Sequence, residues 1–184
     1  RNQAQFHALG TYGAAIRRLT LETDLRHAFE RDELTVAYQP QYDAASRRMG
    51  DYVFLSGVIA VDPAAGRIVR GYDDIPAEAA ARIGRTGEFS CDIKEGPILA
   101  QSWYVLDRIR QTIEAEGGRM EDVFKLVQYF RNLDHFPLYN RVRKLFYPNQ
   151  PPVSTVVEVS GLMPTDDILI EVEGTAYLPL RRPE

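Results

Sequence analysis

The amino-acid sequence predicts an α+β domain, a mixed β-sheet with helices packed on one face. Three observations lead there. Runs rich in β-branched and aromatic residues, at 122–130, 154–159 and 167–174, alternate with amphipathic stretches at helical spacing. The elements read strand, strand, helix, strand, helix, strand, strand, an order that layers helices on a mixed sheet. The chain has 184 residues, 45% hydrophobic and 26% charged, enough for one domain with its own core.

Residues 19–31, LTLETDLRHAFER, place Leu21, Leu25, Ala28 and Phe29 at helical spacing, with Glu22 and Asp24 in the first turn. An amphipathic helix is expected. The next stretch alternates around Val36, Tyr38, Val53, Leu55 and Val58 and carries the polar segment Asp43–Arg48. It reads as a strand, a turn and a second strand paired antiparallel. Residues 62–97 are rich in Gly, Pro and charge and are expected to run irregularly over the surface, with a short helix at Ala77–Ile83. Leu99, Trp103, Leu106, Ile109 and Ile113 predict a helix that ends at Gly117–Gly118. DVFKLVQYF (122–130) predicts a buried strand. Asp134 is placed to cap a helix carrying Phe136, Tyr139, Val142 and Phe146, which Pro148 stops. Two strands, 154–159 and 167–174, follow across the turn SGLMPTD.

The net charge of −4 comes without a block of like charges, which argues against nucleic acid as a partner, since a phosphate-tracking surface needs clustered cations. Arg141, Arg143 and Lys144 form a local basic cluster, but on a helix it reads as a solvated face. Cys91 is the sole cysteine, so neither a disulfide framework nor a thiolate metal cluster is expected, and a reducing, cytoplasmic compartment fits. No apolar run approaches the roughly 20 residues of a membrane-spanning helix, so no membrane partner is expected. His7, His27 and His135 lack metal-ligand spacing, and GRTGEF is no phosphate loop. No cofactor is expected.

From Asp51 onward the chain resembles the Rid (YjgF-type) family. The likeness is carried by GDYVFLSGVIAVDPAAGRIV, by DRIRQTIEAEGGRMEDVFKLVQYFRNLDHFPLYNRVRKLFY and by PPVSTVVEVSGLMPTDDILIEVEGTAYLP. The resemblance implies a chorismate-mutase-like α+β fold and a homotrimer with small-molecule clefts between adjacent subunits. Residues 17–50 resemble the first helix and strand of an EAL-type cyclic-dinucleotide phosphodiesterase. That likeness stops before the Glu-Ala-Leu triplet, and two-metal phosphodiester hydrolysis needs several carboxylates that have no counterpart here. The expected organisation is therefore a structural N-terminal segment, 1–50, and a Rid-like domain, 51–184.

Rid deaminases hydrolyse enamine or imine products of amino-acid enzymes to a 2-oxo acid and ammonia. Such a site holds a carboxylate, places a water and passes a proton to nitrogen. By the resemblance, an Arg opening the Pro-x-Arg-Ser-x-Val-Glu-Val strand clamps the carboxylate. In PVSTVVEV that position holds Ser154, and the family's cysteine position holds Val156. Ser154 is either a neutral substrate contact or an ordinary strand residue, and an exchange to Arg is expected to restore the clamp. Glu171, in ILIEVEG, matches the glutamate that activates water, Asn140 matches a helix asparagine that orients substrate, and Ser56 and Gly57 match a Ser-Gly whose backbone lines the cleft. An imine or enamine deaminase of small metabolites is the leading expectation. A non-catalytic trimeric metabolite-binding or recombined protein stands beside it, as does a degenerate EAL fragment serving protein interaction.

Overall fold

Gly50 takes φ +60°, a left-handed conformation that glycine adopts without strain, and turns the chain between β1 (Ser46–Met49) and β2 (Tyr52–Ile59). The computed structural model describes residues 46–179. The helix expected over 19–31 and the strand expected around Tyr38 lie outside them. β1 and β2 pair antiparallel, Met49 opposite Tyr52 and Ser46 opposite Leu55. The turn expected at Asp43–Arg48 therefore falls later in the chain. Ser46–Met49 are polar in composition, yet a strand partner and the tight turn at Gly50 draw them into the sheet.

A short ribbon follows, β3 (Val61–Asp62) against β4 (Arg67–Ile68). The helix expected at Ala77–Ile83 is present with those bounds, as α1. Helix α2 (Phe89–Ala115) runs for 27 residues, much longer than the spacing of Leu99–Ile113 foretells. Its first turns belong to the segment expected to be irregular. The Glu88 side chain accepts the Cys91 N–H, and Asp92 accepts the N–H groups of Thr86 and Gly87, so the entry to the helix is satisfied locally. Pro97 is carried inside the helix despite its missing N–H. At the far end Gly117 takes φ +83°, and the Gly118 N–H bonds to the Ile113 carbonyl, close to the predicted stop.

β5 (Val123–Phe130) matches its prediction. Helix α3 (Phe136–Phe146) begins with Pro137 in its first turn; Asp134 does not cap it, because a 3₁₀ turn at Leu133–His135 intervenes, held by the Asn132 side chain accepting the Asp134 N–H. β6 (Val153–Glu158) and β7 (Ile170–Tyr177) close the chain's pattern. β7 starts later than expected because the buried Gln101 side chain of α2 takes the Leu169 N–H (2.8 Å) and donates to the Val69 and Asp167 carbonyls.

The main sheet has the order β1-β2-β7-β5-β6, with β5 and β6 parallel and the other pairs antiparallel. One face buries Val53, Leu55, Val58, Leu126, Phe130, Ile170, Val172 and Ala176. Leu99, Leu106, Ile109 and Ile113 of α2 and Tyr139 and Val142 of α3 belong to the same core. Each such fully buried aliphatic or aromatic side chain contributes about 1.5–3 kcal/mol relative to exposure. On the other face Tyr52, Phe54, Phe124 and Tyr177 remain 42–46% exposed. The α+β class with helices on one face of a mixed sheet holds. All these elements belong to one unit, Gln41–Glu184.

Candidate functional site

Between the pairs Leu55–Gly174 and Val58–Val172, β2 has one residue more than β7. This bulge sets Ser56 and Gly57 together opposite Glu173, on the face of the sheet away from the helices. A side chain at position 57 would meet the Glu171 carboxyl group. A Cβ on Gly57 would lie 1.8 Å from the Glu171 Oε1 and 2.8 Å from its Cδ. The carboxyl group of Glu171 is thus laid directly on the bulged backbone. Burial pushes its pKa above the ordinary carboxylate range, and the charge of Glu173 pushes in the same direction. Glu173 itself accepts from the Tyr129 hydroxyl at 3.2 Å, and burial and the two glutamates hold that hydroxyl protonated. Beside Glu173 a shallow hollow of about 190 Å³ is lined by Phe54, Lys125, Val127 and Thr175.

Ser154, Val156 and Asn140 lie elsewhere. Ser154 pairs with Leu126, and Val156 with the buried Gln128, so both share the helix-facing rows of the sheet. Glu171 pairs with Tyr129 in the opposite-facing row. Asn140 sits on α3, its Oδ1 buried and without a hydrogen-bond partner. Within one chain the structure therefore brings Glu171, Ser56 and Gly57 together, and places Ser154, Val156 and Asn140 on the other side of the sheet.

The residue that sequence reasoning missed is Arg143. Its Nη1 donates to the Ser154 Oγ at 3.2 Å, so a guanidinium stands beside the strand position that the sequence resemblance assigns to an arginine. The three-residue basic cluster is not one solvated face: Arg141 pairs with Glu95 (3.2 Å), Lys144 is exposed, and Arg143 turns half-buried toward β6. The signal available in the sequence was the helical spacing of Tyr139, Arg143 and Tyr147, one turn apart each.

A larger groove of about 570 Å³ lies along α1 and α2, lined by Arg82, Trp103, Arg110 and Arg119 among others. It touches none of the residues above, and its Arg110 is committed to Asp107 and Glu114 (both 2.7 Å). Among the described residues no group of three or more His, Cys, Asp or Glu is placed to hold a metal ion. Cys91 is exposed with a free thiol.

The family described as endoribonuclease L-PSP matches residues 35–178, starting upstream of Asp51 and taking in Tyr38. A Klebsiella pneumoniae structure described as a candidate endoribonuclease is 64% identical, with a TM-score of 0.73 over 74% of this chain and 99% of that one. A RutC family protein of Pyrococcus abyssi is 31% identical over 130 residues, 71% of this chain and 81% of the relative. The 2-iminobutanoate/2-iminopropanoate deaminase of Dermatophagoides farinae is 28% identical over 105 residues, 52% of this chain and 82% of the relative.

Proposed function

Because the chain belongs to the endoribonuclease L-PSP (Rid/YjgF) family, we propose that it hydrolyses small imines or enamines bearing a carboxylate, with Glu171 handling the proton. The observation that carries this reading is the Glu171 carboxyl fixed against the Gly57 bulge, half-buried, with its pKa raised. A carboxyl group tuned upward in this way exchanges protons closer to neutral pH, as general acid–base work requires. In the reaction, water oxygen bonds to the imine carbon as Glu171 takes the water's proton. The C=N electron pair moves to nitrogen, which receives that proton. The carbinolamine then collapses to a carbonyl group and ammonia.

The family description points to RNA, but the charge arrangement favours a small molecule. The net charge is −4, and Arg67, Arg70, Arg85, Arg110, Arg131 and Arg141 each face a carboxylate. We place the complete site between copies of the chain in a homotrimer. The separation of Glu171 from Ser154 on opposite sides of one sheet supports that placement, since a single small acid cannot touch both within one chain. A second reading, binding without turnover, is favoured by the neutral Ser154 where the family carries its arginine.

One assay decides between them: keto-acid release from 2-iminobutanoate generated in situ, coupled to a dehydrogenase. The parent should turn over, and Glu171→Gln should lose about two to four orders of magnitude in kcat. The pH profile gives the sign. A general base works deprotonated, so kcat/KM should rise with pH through an acid limb lying above the ordinary carboxylate range, and the Gln variant should lack that limb. A parent that releases no keto acid, or a Gln variant as fast as the parent, removes the hydrolytic reading.

A further inference from the structure

Arg143 is a half-buried cation with no carboxylate beside it among the described residues; its partner is the Ser154 hydroxyl. Arg67, Arg70, Arg85, Arg110, Arg131 and Arg141 are all ion-paired, and Arg48, also half-buried, is held by the Leu178 carbonyl. Around Arg143 lie buried polar groups. The hydroxyl of Tyr147, one helical turn after Arg143, has no hydrogen-bond partner, although this residue is 4% exposed. The amide of Gln128, 0% exposed, lies within hydrogen-bonding reach of the Tyr139 hydroxyl, so these two buried groups answer each other in part. The positive charge of Arg143 reaches both tyrosines. A guanidinium fork whose partner is a neutral hydroxyl, with the unpartnered Tyr147 hydroxyl one turn away, is the chemistry of a carboxylate site. Leaving a buried donor unmade costs roughly 1–3 kcal/mol, so an anion that engages it is favoured by more than its charge.

We propose that Arg143 on α3, aimed by Ser154 and flanked by the Tyr147 hydroxyl, is the carboxylate-binding residue of this protein, the cation having moved from strand β6 to the facing helix. The ligand class is the carboxylate of a small 2-oxo or 2-imino acid. This deepens the hydrolytic reading and rests on it for the identity of the acid, but the binding itself needs no turnover. Ser154→Arg alone is then no gain of function. It sets two guanidinium groups against each other where one already serves.

The test is calorimetric titration of the full chain with 2-oxobutanoate. Arg143→Gln should weaken binding by about tenfold to a hundredfold, the range of one charge-assisted bidentate contact. Arg143→Lys keeps the charge without the fork and should fall between. Arg143→Gln combined with Ser154→Arg should recover most of the affinity, because the cation returns to the same place from the strand. Lys144→Gln, which removes an exposed cation from the same helix, should bind like the parent. Equal affinity of parent and Arg143→Gln overturns the assignment, as does a parent that binds no 2-oxo acid. If Arg143→Gln does not fold, Arg143→Lys carries the test, and unchanged affinity there overturns it equally. The two proposals separate cleanly. Turnover with a KM indifferent to Arg143 sinks the clamp alone, and Arg143-dependent binding without turnover sinks the hydrolysis alone.

Discussion

A glutamate and a glycine on neighbouring strands define the candidate site at the level of single residues. Any β-carbon at position 57 would enter the space of the Glu171 carboxyl group. Gly57→Ala should therefore lower stability by about 1–3 kcal/mol through overpacking, several degrees in Tm by thermal melting. If the carboxyl is the cause, the same exchange in a Glu171→Ala background should cost well under half as much, a coupling that a double-mutant cycle reads directly. An equal cost in both backgrounds would show that the backbone of the bulge, and not Glu171, demands the glycine. Position 57 and position 171 were each legible from the family motif, but their contact was not, because it depends on a one-residue bulge that shifts the register of β2 against β7. Arg143 escaped for a different reason. Its spacing with Tyr139 and Tyr147 is the one local sign of which way it turns, and what it meets there depends on the strand it packs beside.

At the scale of elements, the strands and the second half of α2 follow from periodicity, and the misjudged boundaries have tertiary causes. Gly96–Pro97 reads as a helix breaker, yet α2 continues through it. The reason is packing: Gly96 is buried, and a Cβ there would come 3.1 Å from the Tyr72 ring, so the helix closes on that tyrosine at its least bulky point. Pro97 still forfeits the hydrogen bond to the Ile93 carbonyl. Pro97→Ala should recover part of that loss, raising stability by about 1 kcal/mol and Tm by roughly 2–4 °C. A lower Tm would mean that the ring's own contacts outweigh the missing bond. The late start of β7 has a similar origin, since a single buried glutamine on α2 satisfies three backbone groups that would otherwise seek a strand partner.

For the molecule as a whole, the bare face of the sheet is the prominent feature. Tyr52, Phe54, Phe124 and Tyr177 stand on it half-exposed, Tyr52 in edge contact with both Phe124 and Tyr177. A patch of this kind on the strand face that carries Glu171 fits burial against further copies of the chain. Light scattering should give a trimer, and mixing offers a sharper check. At substrate concentrations well below the parental KM, where Arg143→Gln and Glu171→Gln subunits are each strongly impaired, the two should regain about a quarter of parental turnover when unfolded together and reassembled, since random pairing leaves that fraction of shared sites intact. No recovery would place both residues' work within one chain. The strand order has a further consequence. β7, the last of the described strands, lies between β2 and β5 and is the neighbour that joins them. Nearly the whole described chain must therefore be synthesised before the sheet's interior pairs can exist. While the ribosome is still decoding the loop ahead of β7, the first hairpin and β5 have no common seam. Closure of this sheet thus waits on β7, and a message that ends at Thr165 encodes two separate strand pairs with nothing to join them.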